Sequence, residues 1–378
     1  MTNPLQQLTQ AGQSIWLDYM HRKLMESGEL ERLIAEDGVT GMTSNPSIFE
    51  KAIGEGADYD DRIKAAMAEA DLSPMELYEK VAIKDIQDAA DVLKPVWDRT
   101  QGRDGYVSLE VSPYLALDTD GTIHEAERLW KAVGRRNLMI KIPGTPPGVP
   151  AIAAVIGRGI NVNVTLLFGV DAYLRVAEAH IEGLEYFRAH GGDVSKVHGV
   201  ASFFVSRIDS KMDKEIDRRV KAADSQTEKL KALRGKVAIA NAKVAYQRYL
   251  EMIGGERWKR LEAAGAAPQR LLWASTGTKD RAYSDVLYVE TLIGKDTVNT
   301  MPTKTLEAFK DHGKVAATLT EDIEEAQKVL EAQERLDLDL KGITEGLVTE
   351  GVGSFSEAFD KLLGAVASKR TQILGKAA

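Results

Sequence analysis

The chain has 378 residues, 44% of them hydrophobic and 28% charged, with a net charge of −8 and no cysteine. The missing cysteines exclude disulfides, thiolate nucleophiles and cysteine metal sites, and the acidic balance argues against a nucleic-acid surface. An anionic small-molecule substrate remains compatible, because it needs only a local cationic site. The opening "MTNPLQQLTQ" lacks the basic-then-apolar pattern of a signal peptide, and no apolar run reaches membrane-spanning length. A cytoplasmic protein with no membrane partner is therefore expected.

In chain order, strands are expected at 14–18, 39–45, 106–112, 138–142, 160–168, 197–204, 270–276 and 297–302. Helical stretches separate them, among them 74–97 and 169–191, whose apolar residues recur at three and four. Strand–helix alternation implies parallel strands, since a parallel crossover needs a helix-length connection. The first strand is followed by "YMHRK" with no glycine-rich fingerprint, which argues against an open dinucleotide-binding sheet. The expected fold is a single-domain α/β protein, a (β/α)8 TIM barrel. It carries a charged helical insertion at 211–262 and extra C-terminal helices at 303–378. The mixed-sign faces of both additions read as solvated surface.

Strand parity sorts the side chains into two faces. Val107, Leu109 and Val111 share one face, with Ser108 and Glu110 on the other; Val162, Val164 and Leu166 likewise oppose Asn161, Asn163 and Thr165. Helices cover the outside of a barrel sheet, so the polar set is expected inside. Asp18, Asn45, Glu110, Lys141, Asn163, Thr165, Ser202 and Ser275 then lie inside the barrel or at its mouth. Most sit toward the C-terminal ends of their strands, where barrel enzymes place their active sites. His198 is also inward and is expected to be a core residue.

Lys141 is the oddest of these, because "LMIKI" otherwise reads as a buried strand and an unpaired buried ammonium is costly. One reading is a structural ion pair with Glu110. The other is covalent carbonyl chemistry. An ordinary lysine is neutral in only about one molecule in 2,500 at pH 7, and desolvation raises that fraction. A neutral amine can add to a ketone and form a Schiff base. Asn45, which precedes Pro46, could equally shape a turn. Neither a metal-ligand spacing nor a GxSxG elbow is present, so no metal, no cofactor and no serine acyl chemistry is expected.

"GMTSNPSIF" (41–49), "VSLEVSP" (107–113), "LMIKIPGT" (138–145), "INVNVTLLF" (160–168) and "ASFFVSRID" (201–209) resemble the ordered motifs of the transaldolase family. The tail "TVNTMPTKTLEAF" (297–309) is similar to the longer bacterial branch of that family. The resemblance implies sugar-phosphate substrates, with a dihydroxyacetone unit passed from sedoheptulose 7-phosphate to glyceraldehyde 3-phosphate through a Schiff base on Lys141. It implies that Asp18 moves the C4 hydroxyl proton, and that Glu110, Thr165 and a water serve imine formation. Asn45 and Asn163 would hold the three-carbon intermediate, with Ser202, Phe204, Ser275 and, beside them, Thr43 completing the pocket.

Arg207 matches a family arginine that contacts substrate phosphate. The family's second phosphate-binding arginine has no match in "STGTKDR", which passes that part to Lys279 or Arg281. Phe203 stands where many relatives carry proline. Two other readings share the pocket: an aldolase that releases free dihydroxyacetone, and a non-catalytic sugar-phosphate sensor. A monomer and a homodimer are both compatible with the sequence.

Overall fold

The computed structural model describes residues 3–54 and 56–377. Eight strands pair in sequence order and close on themselves, each parallel to its neighbours. They are β1 (Gln13–Asp18), β2 (Val39–Thr43), β3 (Tyr106–Glu110), β4 (Leu138–Pro143), β5 (Val162–Leu167), β6 (Gly199–Phe204), β7 (Arg270–Ala274) and β8 (Thr297–Met301). The fold is a (β/α)8 barrel, as the alternation predicts.

β2, β3 and β7 each end two residues earlier than the sequence pattern suggests, and β5 and β8 one residue earlier; β2 and β7 have clear local reasons. β2 stops at Thr43 because Asn45 precedes Pro46, which opens the helix Pro46–Gly54 and has no N–H for a ladder. β7 stops at Ala274 because Ser275 adopts a left-handed backbone, with φ 56°. Parity holds through most of the sheet. Ile15, Leu17, Val107, Leu109, Ile140, Ile142, Val162 and Val164 all enter the hydrophobic core. Phe203 follows the same rule: it packs edge-on against Trp273, with ring centroids 6.1 Å apart. That leaves Ser202 and Phe204 facing the barrel interior.

The lower interior is filled by Trp16 and a polar knot. Its indole N–H donates to Asp104 at 2.6 Å, Ser14 donates to the same carboxylate, and Arg270 donates to Ser14 Oγ at 2.7 Å. Gly41 pairs with Trp16 across β1 and β2, and a Cβ there would lie 2.5 Å from the indole ring. Gly41→Ala should therefore lower stability by about 1–3 kcal/mol through overpacking, read from the urea midpoint. An unchanged midpoint would show that β2 can retreat from the ring.

The capping box Ser73/Glu76 starts the long helix Pro74–Arg99, and Asp118 caps Thr119–Val133 through Gly121 N–H. The predicted helix at 169–191 forms as Val170–Ala189. The 211–262 region is helical, but its first helix, Ser206–Lys221, begins directly after β6 and belongs to the barrel's own connection. Its largest helix, Val237–Gly254, lies on the barrel flank. Asn241 Nδ2 donates to Phe168 O at 2.7 Å, and Tyr246 OH donates to Lys295 O at 3.0 Å. The C-terminal region forms the helices Thr303–His312, Ile323–Arg335 and Leu340–Ala377; Ala378 lies outside the described residues.

Candidate active site

The polar interior residues converge at the C-terminal ends of the strands. Glu110, Lys141 and Asn163 occupy one rung across β3, β4 and β5. Lys141 is only 4% exposed. Its ammonium nitrogen donates to Ser44 O at 3.0 Å and stands 3.2 Å from Glu110 Oε2. The ring centre of Phe355, from the C-terminal helix, lies 5.7 Å away.

Asp18 ends β1 and opens onto the same space. Thr43 Oγ1 lies 2.7 Å from Asp18 Oδ1, to which it donates, and 2.7 Å from Thr300 Oγ1. Burial raises the pKa of Asp18, opposed by the Lys141 charge, the Thr43 hydrogen bond and Arg207. Burial likewise raises Glu110, again opposed by Lys141. Desolvation disfavours the carboxylate form, so both carboxyls hold a proton at higher pH than ordinary side chains do. Thr165 Oγ1 is buried with no hydrogen-bond partner among the described residues, and Glu110 Oε2 is buried against the Lys141 ammonium. An unpartnered buried hydroxyl on the wall that also carries Lys141 suits a water or substrate hydroxyl there.

Asn45 both shapes the turn and faces the site: its Oδ1 accepts from Ile48 N at 3.0 Å, starting the next helix, while the residue lines the cavity. Asn163 sits deeper. Its Nδ2 donates to Ser108 Oγ at 2.9 Å and its Oδ1 accepts from Ser202 Oγ at 2.7 Å, so it holds Ser202 in place. Asn161 lies lower still and satisfies backbone, donating to Arg136 O and Leu138 O and accepting from His198 N.

Together these groups border a cavity of about 350 Å³, lined among others by Asp18, Lys141, Thr165, Ser202, Phe204 and Arg207. Asn45, Thr43, Ser275 and Lys279 complete the expected set on its walls. Glu110 and Asn163 stand behind the lining residues and reach it through Lys141 and Ser202. Arg207 lies over the Phe204 ring, 5.1 Å from its centre, and burial lowers its pKa. The pKa of Lys279 is lowered by partial burial and by Arg207. Of the two candidate cations after Ser275, Lys279 lines the cavity, and Arg281 is exposed outside its lining.

Among the lining residues that sequence reasoning does not single out are Thr300, Lys304, Thr305 and Phe355. β8 carries polar residues on both faces, since Asn299 also accepts a hydrogen bond from Thr276, so parity could not orient Thr300. Phe355 is an apolar helix residue far from the motifs, with no local signal. Among the described residues no group of His, Asp and Glu is placed to hold a metal ion, and no helix is long and apolar enough to cross a membrane.

A parallel barrel whose mouth gathers a buried lysine, two carboxyls, an arginine and a second lysine has its polar cluster at the end where barrel enzymes place their active sites. The sequence profile of the Transaldolase/Fructose-6-phosphate aldolase family matches residues 15–366. A transaldolase from Trichodesmium erythraeum is 50% identical over 373 residues, covering 98% of each chain. Transaldolase 2 of Streptomyces coelicolor is 47% identical over 96% of each chain. A transaldolase from Thermobifida fusca is 46% identical, covering 98% of this chain and 99% of its own. The chain belongs to the transaldolase family.

Proposed function

We propose that the protein transfers a dihydroxyacetone unit between sugar phosphates through a Schiff base on Lys141, as a cytoplasmic, single-domain enzyme of the non-oxidative pentose phosphate pathway. The observation that carries this reading is the Lys141 amine, buried within reach of Glu110, in a cavity whose wall also holds Asp18.

Glu110, 3.2 Å from the ammonium, is placed to take its proton. The freed amine adds to the ketose C2 carbonyl, and the carbinolamine loses water as Glu110 returns a proton through a water held at Thr165. Asp18 then takes the C4 hydroxyl proton while the C3–C4 bond breaks. The aldehyde leaves, and the electron pair rests on the three-carbon enamine. Carbon 3 of that enamine attacks the incoming aldehyde, and Asp18 gives its proton to the new alkoxide. Hydrolysis of the resulting iminium releases the product ketose and restores the lysine.

Asn45 and Ser202 line the space where the hydroxyls of the three-carbon unit would sit, and Thr43 fixes the orientation of Asp18. Partial burial and repulsion from the Arg207 charge lower the pKa of Lys279; a phosphate dianion between the two cations would relieve that repulsion. Arg207→Gln should therefore raise KM for fructose 6-phosphate roughly 10- to 100-fold, the scale of one lost charged hydrogen bond. An unphosphorylated ketose should be affected little. Equal losses on both substrates would remove Arg207 from the phosphate site.

Acceptor dependence tests the transfer reading. With fructose 6-phosphate alone, one enzyme equivalent of glyceraldehyde 3-phosphate should appear as a burst. Continued turnover should require erythrose 4-phosphate. Steady release of free dihydroxyacetone at the transfer rate would favour the aldolase reading instead.

A further inference from the structure

Phe355 does not belong to the barrel, yet it forms part of the cavity wall beside the amine. It comes from the helix Leu340–Ala377, whose buried residues Leu347, Phe355, Phe359, Leu362 and Val366 follow helical spacing. Polar ties hold this helix on either side of the ring. Lys211 pairs with Glu350 at 2.7 Å, Tyr114 donates to Asp360, and Lys369 pairs with Asp60 at 2.7 Å. Phe359, one turn on, packs edge-on between Tyr78 and Tyr114. Phe355 is itself only 6% exposed.

One turn before it, the helix comes close to the sheet. A Cβ on Gly351 would lie 2.7 Å from Leu166 Cδ2. Leu166 departs from the outward face that strand parity predicts for it. The β5–β6 ladder is irregular between Val164 and Leu167, and Leu166 takes a left-handed φ of 59°. A leucine there is strained by about 1–3 kcal/mol. The glycine and the irregular strand together let the helix settle low enough to place Phe355 over the lysine.

We propose that Phe355 sets the partition of the three-carbon intermediate between transfer and release. This rests on the Schiff-base reading of Lys141. The enamine leaks when carbon 3 takes a proton from solvent in place of an aldehyde; water then adds at C2, and the C–N bond breaks to give free dihydroxyacetone and the lysine amine. The first step needs water to reach carbon 3 from outside the Glu110–Thr165 side, where the water that serves imine formation and hydrolysis is held. The Phe355 ring closes the side that the C-terminal helix covers with a surface that offers no proton, and it excludes water from the amine. Its π face also lies within the roughly 6 Å over which an aromatic ring attracts a cation.

The test measures free dihydroxyacetone against sedoheptulose 7-phosphate formed from fructose 6-phosphate and erythrose 4-phosphate. Phe355→Ala should raise the release-to-transfer ratio about tenfold, and a borohydride-reducible adduct on Lys141 should persist. Gly351→Val, which lifts the helix without touching the cavity, should move the ratio in the same direction. Phe355→Leu, which keeps an apolar wall, should restore most of the parent ratio. Equal loss of both products, at an unchanged ratio in Phe355→Ala and Gly351→Val, would reduce the ring to a packing residue and overturn the proposal. Absence of the adduct in the parent protein is a separate result, which would remove the Schiff-base reading and this proposal with it.

Discussion

Lys141→Met should abolish turnover, with kcat falling by about 10⁴-fold or more, or roughly 5.5 kcal/mol of transition-state stabilisation. No other lysine replaces it. Lys279 and Lys304 line the same cavity, but Glu110 pairs with Lys141. The variant should still fold. Methionine matches the aliphatic stem, and Glu110, already raised by burial, can take a proton and avoid a buried charge without a partner. A circular dichroism spectrum and a melting curve close to the parent's would establish that. Activity within tenfold of the parent would return Lys141 to a structural ion pair with Glu110.

Asp18→Asn should separate imine formation from bond cleavage. The amide keeps the shape, so it retains the contact with Thr43, but it cannot accept the C4 hydroxyl proton. The expected loss in kcat is about 10²- to 10⁴-fold, the range for a general base. Lys141 and Glu110 are untouched, so the ketose should still form its imine and accumulate uncleaved. The pH profile gives a second readout. Burial holds Asp18 above the ordinary carboxylate range, and the base form is the active one. Parent kcat should therefore fall, as pH is lowered, at a higher pH than an exposed aspartate would give. In Asp18→Asn that limb should be lost from the residual rate. A three-carbon adduct formed by Asp18→Asn at the parent rate would assign cleavage to another group.

Much of this site was legible because barrel strands alternate strictly. One apolar face under helices forces Glu110, Lys141 and Thr165 onto the other, and the parallel register then brings Glu110 and Lys141 together without further information. The phosphate end was half legible. Arg207 follows β6 at the start of its helix, but choosing between Lys279 and Arg281 needed the path of the chain after Ser275, whose left-handed backbone leaves no mark in sequence. Asn163 shows a limit of parity: it faces inward as expected, yet Ser108 and Ser202 take both ends of its amide and keep it behind the cavity wall. Leu166 and Phe355 were illegible for a stronger reason. A strand irregularity moved the first, and the second arrives on a helix more than two hundred residues beyond Lys141. Such contacts depend on tertiary packing, which no local spacing encodes.

The measurement closest to the central claim is borohydride trapping with fructose 6-phosphate, followed by peptide mass mapping. A reduced three-carbon adduct on Lys141 is the predicted result, because it records imine formation and C3–C4 cleavage in one species. Bound substrate with no adduct on Lys141 would contradict the account and leave the lysine as the structural partner of Glu110.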